Sequence, residues 1–117
     1  MLKTVKPLIW VGSSKKDLLT LPDEVVDVFG YGLHPAQIGL KHPDAKPLSG
    51  FGSAGVLEIV EDCRGDTYRA VYTVRIKSAI YVLHVFQKKS RQGISTPRTD
   101  VELIRERLKA AEAMAKG

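Results

Sequence analysis

Residues 79–90, AIYVLHVFQKKS, constrain the fold of this chain more than any other stretch. Apolar residues fill positions 80 to 86 except for His84, and most of them are β-branched or aromatic. Such a run predicts a central strand with neither face in water. Lys88 and Lys89 end the run, so we expect the strand to hold two cationic side chains at a defined place.

Two further strands precede this one and complete an antiparallel meander. Residues 56–62, VLEIVED, predict one strand and residues 68–76, YRAVYTVRI, predict the next. The turn residues 64–66, Arg-Gly-Asp, join them. Alternation along the later strand places Arg69 and Arg75 together on one face, opposite the more apolar one.

Helices flank the meander on its N-terminal side. Residues 6–11, KPLIWV, predict a first strand. Ser14 can cap a short helix, and Pro22 suits the first position of a second one, so a helical hairpin follows the strand. Pro35 is expected to bend or break the second helix.

The remaining segments are a connection and a last helix. Residues 41–55 are rich in Pro and Gly and predict a connection without a phosphate-binding pattern. The last helix starts at either Thr96–Pro97 or the capping box Thr99–Glu102. We therefore predict one α+β domain over residues 1–117, composed of an N-terminal strand, a helical hairpin, a three-stranded meander and a C-terminal helix.

Composition excludes several classes of protein. The single cysteine, Cys63, excludes a disulfide framework and a multi-cysteine metal cluster, and fits a reducing compartment. No apolar run approaches the ~20 residues of a membrane-spanning helix. The apolar run after the first lysines is too short for a signal-peptide core. His34 and His42 lack partners at metal-ligand spacing. We expect a cytoplasmic protein that binds neither a membrane nor a metal.

Positive charge is concentrated around the central strand. The net charge is +5, and residues 63–98 carry eight basic side chains against one acidic side chain, Asp66. A basic patch of this kind favours a polyanion or an acidic protein as partner. The alternative is a solvated basic face that serves solubility.

Several segments resemble one protein superfamily in the right order. They are TYRAVYTV, AIYVLHVFQKKS and TPRTDVELIRERLKAAE, supported by KPLSGFG and VLEI upstream. Together they make residues 5–112 similar to the RelE/HigB toxin superfamily, and more closely to its phage-derived HigB-like branch.

The resemblance implies the toxin of a bacterial type II toxin–antitoxin system. Such a protein is a small cytoplasmic ribonuclease that cleaves mRNA, often on the ribosome, and so stops translation. It uses the 2′-OH of the RNA and needs no metal or other cofactor. Its partner is a cognate antitoxin, usually a HigA-like helix-turn-helix protein. By position, Arg69 matches an arginine of the family, and Lys88 and Lys89 match its basic pair. Glu58 stands where some relatives have a lysine.

RNA cleavage by this route needs a proton acceptor for the 2′-OH, cations on the phosphorane and a proton donor for the leaving 5′ oxygen. The residues predicted to be catalytic are Arg69, Lys88, Lys89 and His84. Arg69 suits two phosphate oxygens, and either lysine could bind phosphate or act as a base if neighbouring charges lower its pKa. The residues predicted to bind RNA are Lys46, Arg75, Ser90 and Arg91.

Some alternatives stay open from the sequence. His84 could equally be a core histidine, and Tyr72 and Tyr81 could stack on bases, although core packing suits both better. A ParE-like toxin that binds gyrase without cutting RNA would share this fold. A phage nucleic-acid-binding module is the third possibility.

Overall fold

The structure, a computed structural model, describes residues 5–40, 45–52, 54–88 and 97–116. These residues form five strands and three helices, which confirms the predicted α+β class. The strands are Leu8–Trp10 (β1), Ala45–Pro47 (β2), Val56–Cys63 (β3), Asp66–Thr73 (β4) and Ile80–Lys88 (β5). The helices are Ser14–Leu19 (α1), Asp23–Gln37 (α2) and Arg98–Lys116 (α3).

All five strands belong to one sheet in the order β1-β5-β4-β3-β2. The predicted antiparallel meander is present as β3, β4 and β5. β1 lies parallel to β5, with Leu8 opposite Ile80. β2 is an addition, because residues 41–55 were expected to be a connection only. Its Pro47 is tolerated since β2 is an edge strand, where one N–H need not join the ladder.

A two-residue turn sets the register of β3 and β4. Arg64 and Gly65 both have positive φ angles, 53° and 86°, as a tight hairpin turn with the sheet's own twist requires. Cys63 and Asp66 therefore form the first pair of the ladder, although Asp66 was predicted to lie in the turn. The turn fixes every pair farther along these two strands.

The helices follow the predicted order. α2 continues through Pro35 and ends two residues later, at Gln37, so the proline removes one helical hydrogen bond without breaking the helix at that point. α3 begins at Arg98, in agreement with the earlier of its two predicted starts, and the amide of Val101 bonds to the carbonyl of Pro97. Within the described ranges, no helix has the length and apolarity needed to cross a membrane.

Apolar side chains cover the two faces of the sheet differently. On one face the helices α1 and α2 pack on the strands around Phe29, Ile59 and Tyr72, all fully buried. On the other face α3 packs through Ile104 against Leu83 and its neighbours. This second apolar cluster also includes Val56 of β3 and Val71 of β4.

A β-bulge in β5 gives the α3 face an additional residue. The pairing of β5 with β4 skips Leu83, between Val82 and His84. Leu83 and His84 consequently both face α3, where Leu83 joins the core and His84 contacts Asp100. Arg107 of α3 donates from Nη1 to the carbonyl of Leu83 at 2.9 Å. The rest of β5, through Lys88, then continues on the α3 face at every second residue.

Candidate functional site

Four charged residues form an oblique row across the α3 face of the sheet. Lys46, Glu58, Arg69 and Lys88 come from β2, β3, β4 and β5, which are adjacent strands. Lys46 lies directly opposite Glu58, whereas the later members of the row are diagonal neighbours across their ladders. We call these four residues the charged row. Three of them are buried, and only Lys46 is well exposed, with 59% of its side chain accessible.

The centre of the charged row is a buried ion pair. Nη1 of Arg69 donates to both carboxylate oxygens of Glu58, at 3.1 Å to Oε1 and 2.9 Å to Oε2. Nζ of Lys46 lies 3.8 Å from Oε1 of the same carboxylate. Removal of either partner of a buried pair leaves an uncompensated charge, so Glu58 holds Arg69 in place.

Sequence reasoning did not assign a site role to Glu58. The sequence showed that Glu58 stands where some relatives have a lysine. It did not show the contact between Glu58 and Arg69. The signal was in the hairpin turn at Arg64 and Gly65: counting outwards from it pairs Val60 with Arg69 and makes Glu58 the diagonal neighbour of Arg69.

Lys88, at the end of the charged row, is buried near other cations. Its pKa is lowered from the ordinary value, first by burial and then by the positive charge of Arg69, with a smaller contribution from Lys46. The carboxylate of Glu58 opposes the shift. Repulsion by neighbouring cations was the expected cause, and burial is the larger one. A lysine with a lowered pKa is better suited to accept a proton near neutral pH.

His84 joins the sheet to α3. Its Nε2 lies 2.7 Å from Oδ1 of Asp100 in the first turn of α3, and its ring stacks on Phe86 with 4.4 Å between centroids and 14° between planes. The ring is buried, and Nδ1 has no hydrogen-bond partner among the described residues. These contacts connect His84 to α3 and to Phe86, and its predicted catalytic role stays a prediction.

Arg75 is not part of the charged row. It lies two residues beyond the end of β4, exposed and packed beside Gly55. The strand was predicted to run to residue 76, and its earlier end takes Arg75 off the shared face. Lys89, Ser90 and Arg91 lie outside the described residues.

The two candidate stacking tyrosines belong to the core. Tyr72 is fully buried on the α1–α2 side, and burial raises its pKa to about 12. Tyr81 is buried under α3. These positions support core packing for both tyrosines, which was expected to suit them better than stacking on a base.

The described residues contain no group of three or more His, Cys, Asp or Glu side chains that could hold a metal ion. His34 is exposed on α2, and His42 lies outside the described residues. Metal independence of any reaction stays a prediction.

Known proteins include one family and one solved structure to which this chain is similar. A profile of the family described as phage-derived protein Gp49-like matches residues 16–109, which include the whole charged row. Comparison with curated proteins finds no match. Among solved structures, the crystal structure of the toxin–antitoxin complex RelBE2 from Mycobacterium tuberculosis is similar, with 18% sequence identity and a TM-score of 0.49. The similarity covers 74% of this chain and 95% of the matched one.

Proposed function

The chain belongs to the phage-derived Gp49-like family of RelE/HigB-type toxins, and on that premise we propose that it is an mRNA-cleaving toxin of a type II toxin–antitoxin system. It cleaves the message during translation, on the ribosome, and a cognate HigA-like antitoxin neutralises it. The reaction is a metal-independent transesterification in the cytoplasm. Family membership supports the toxin part of this proposal, and the charged row supports the nuclease part.

The observation that carries the nuclease proposal is the combination of cations in the charged row. Lys46 is exposed and offers the first contact for an RNA phosphate, while Arg69 and Lys88 lie deeper on neighbouring strands. Buried charges act on a phosphate more strongly than exposed ones, because the surrounding dielectric is lower. We therefore expect an RNA phosphate to contact Lys46 first and then to bind more strongly to Arg69 and Lys88.

We assign Lys88 the removal of the 2′-OH proton. Its lowered pKa makes the neutral amine more available, and that form can accept a proton. The 2′ oxygen then attacks phosphorus, the bond to the 5′ oxygen breaks, and the products are a 2′,3′-cyclic phosphate and a 5′-hydroxyl. The leaving 5′ oxygen needs a proton donor, and we assign this role to the remaining predicted catalytic residues, His84 and Lys89.

We assign Arg69 the stabilisation of the phosphorane. A guanidinium carries five N–H groups, so donation from Nη1 to Glu58 does not use up its capacity. Glu58 fixes the plane of that guanidinium and acts through it, as a positioning residue. Ser90 and Arg91 remain predicted RNA contacts, whereas Arg75 has no part in this site.

Primer extension on a translated message tests the proposal. Induced expression of the wild type should stop growth and produce cuts at codon-related positions, and Lys88→Met should abolish both effects. Lys16→Met, which removes an exposed lysine of α1, is the matched control and should remain toxic. Full growth arrest with intact message would overturn the nuclease proposal.

One observation favours the gyrase-binding alternative. The carboxylate of Glu58 already neutralises part of the charge on Arg69, which weakens Arg69 as a phosphate ligand. A ParE-like toxin would not need that ligand. It would induce the DNA-damage response before growth stops, and Lys88→Met would leave its toxicity unchanged.

A further inference from the structure

Phe86 has a ring that is held in a fixed orientation beside the charged row. One of its faces stacks on His84, with the ring planes only 14° apart. His84, which belongs to β5, is in turn bonded to Asp100 of α3. The stack is thus a small platform attached to both β5 and the start of α3.

The register of the sheet places this platform next to the cations. Phe86 lies directly opposite Arg69 across the β4–β5 ladder and two residues before Lys88 on the same face of β5. Because His84 covers one face of the ring, the other face is directed towards Lys88. The ring is thus bordered by one cation of the row across the ladder and by another along its own strand.

The exposure of Phe86 distinguishes it from its neighbours in the strand. Leu83 and Val85 are fully buried or nearly so, with 0% and 2% of their surface accessible, whereas Phe86 is only half-buried. The buried part of Phe86 packs against the apolar cluster under α3. The uncovered part lies on the side of the sheet that carries the charged row.

We propose that the Lys88-facing side of the Phe86 ring stacks on one unpaired nucleobase, whose adjacent phosphate is held by the charged row. This inference rests on the proposed RNA substrate and specifies which part of it meets which residue. Single-stranded RNA is recognised in this way elsewhere, by aromatic rings that stack on splayed bases beside cations that hold the backbone. His84 is the backing of the platform, and its bond to Asp100 keeps the ring pair parallel.

Binding of two uncleavable oligonucleotides tests this inference. One is a 2′-O-methyl RNA with its bases, and the other is an abasic oligomer of the same length and charge. Phe86→Leu should weaken binding of the first by about tenfold or more and leave binding of the second unchanged. Phe86→Tyr, which keeps the ring, should bind both as the wild type does.

A spectroscopic variant covers the case in which Phe86→Leu fails to fold. In Phe86→Trp, the new tryptophan should lose fluorescence when the base-carrying oligonucleotide is added, and not with the abasic one. The signal is measured against the wild type, whose tryptophan is Trp10. Unchanged fluorescence with both oligonucleotides would overturn the inference.

The outcomes separate this inference from the proposed function. Equal binding of the base-carrying oligonucleotide by Phe86→Leu and the wild type, while the wild type still cuts messages in cells, removes the stacking and keeps the nuclease. Equal weakening for both oligonucleotides shows a structural role and also overturns stacking. Failure of the wild type to bind either oligonucleotide overturns it as well.

Discussion

The two faces of the sheet differ in the kinds of side chain that they bury. The face under α1 and α2 is apolar across its width, with Phe29, Ile59 and Tyr72 fully buried. The opposite face has its own apolar cluster, around Leu83 and Ile104, and it also carries the charged row. Both faces bury side chains, but among the described residues the buried charges Glu58, Arg69 and Lys88 all lie on the α3 face.

This difference separates the residues that stabilise the fold from the residues that we propose act on RNA. Apolar burial contributes stability directly, at about 25 cal/mol for each Å² removed from water. A buried ion pair contributes little net stability and often less than apolar residues of the same size. The pair of Glu58 and Arg69 is therefore better explained by the need for a cation at that place than by the stability of the sheet.

The largest effect is expected on the apolar face. Phe29→Ala should lower the free energy of unfolding by about 3–5 kcal/mol, because it opens a cavity under α2. Urea denaturation measures the loss. Tyr31→Ala, two residues along the same helix but 79% exposed, is the control and should change stability by less than about 0.5 kcal/mol. Similar values for both variants would remove the distinction between core and surface of α2.

The second effect tests the buried ion pair on the other face. Arg69→Met alone should cost about 3 kcal/mol, because it leaves the Glu58 carboxylate buried without this partner. The double variant Glu58→Leu/Arg69→Met should recover most of that loss while toxicity stays absent. If the double variant is no more stable than Arg69→Met, the ion pair itself contributes to the stability of the fold.

The third effect is a pH dependence of stability caused by Lys88. Its folded pKa lies below the unfolded value, so the unfolded chain binds the proton more tightly. The wild type should therefore gain stability relative to Lys88→Met as the pH rises towards the ordinary lysine pKa of 10.5, and lose it as the pH falls. Urea denaturation at several pH values measures the difference.

A matched variant makes the pH result specific. Lys16→Met should leave the wild-type dependence intact, because Lys16 is exposed on α1 and outside the charged row. A constant difference in stability between the wild type and Lys88→Met at every pH would contradict the lowered pKa.

The smallest effect belongs to the exposed end of the charged row. Lys46→Ala should change the free energy of unfolding by less than about 0.5 kcal/mol, since its contact with Glu58 is long and largely in water. RNA affinity should fall a few-fold, and more at low salt than at high salt, because the lost contact is electrostatic. Affinity that is unchanged at low salt would place the RNA elsewhere.

Much of the fold could be predicted from local pattern. Apolar runs predicted the meander, and Arg64-Gly65-Asp66 predicted its first turn, which in the structure consists of Arg64 and Gly65 alone. β2 escaped prediction because its three residues sit in a segment rich in Pro and Gly, and an edge strand needs only part of its backbone hydrogen bonds. The prediction at Pro35 was wrong because a proline removes only its own N–H bond, and α2 continues for two more residues without it.

The candidate site was predictable only in part. Alternation placed Arg69 on a face of its own strand, which the structure confirms. The contact with Glu58 depends on which residues face each other across two strands, and the local sequence of either strand does not contain that information. The lowered pKa of Lys88 depends on burial by distant residues, so charge counting identified the smaller of its causes.

The bulge at Leu83 has a consequence for how this strand tolerates changes in length. Simple alternation from Ile80 would turn Lys88 to the α1–α2 face, because both residues have even numbers. The additional residue shifts the phase, so the early half of β5 serves the core while the late half presents Phe86 and Lys88 to the opposite face. Removal of Leu83 would restore a regular ladder without turning Lys88 over. Position 83 is therefore where this strand can lose one residue and still present Lys88 on the same face.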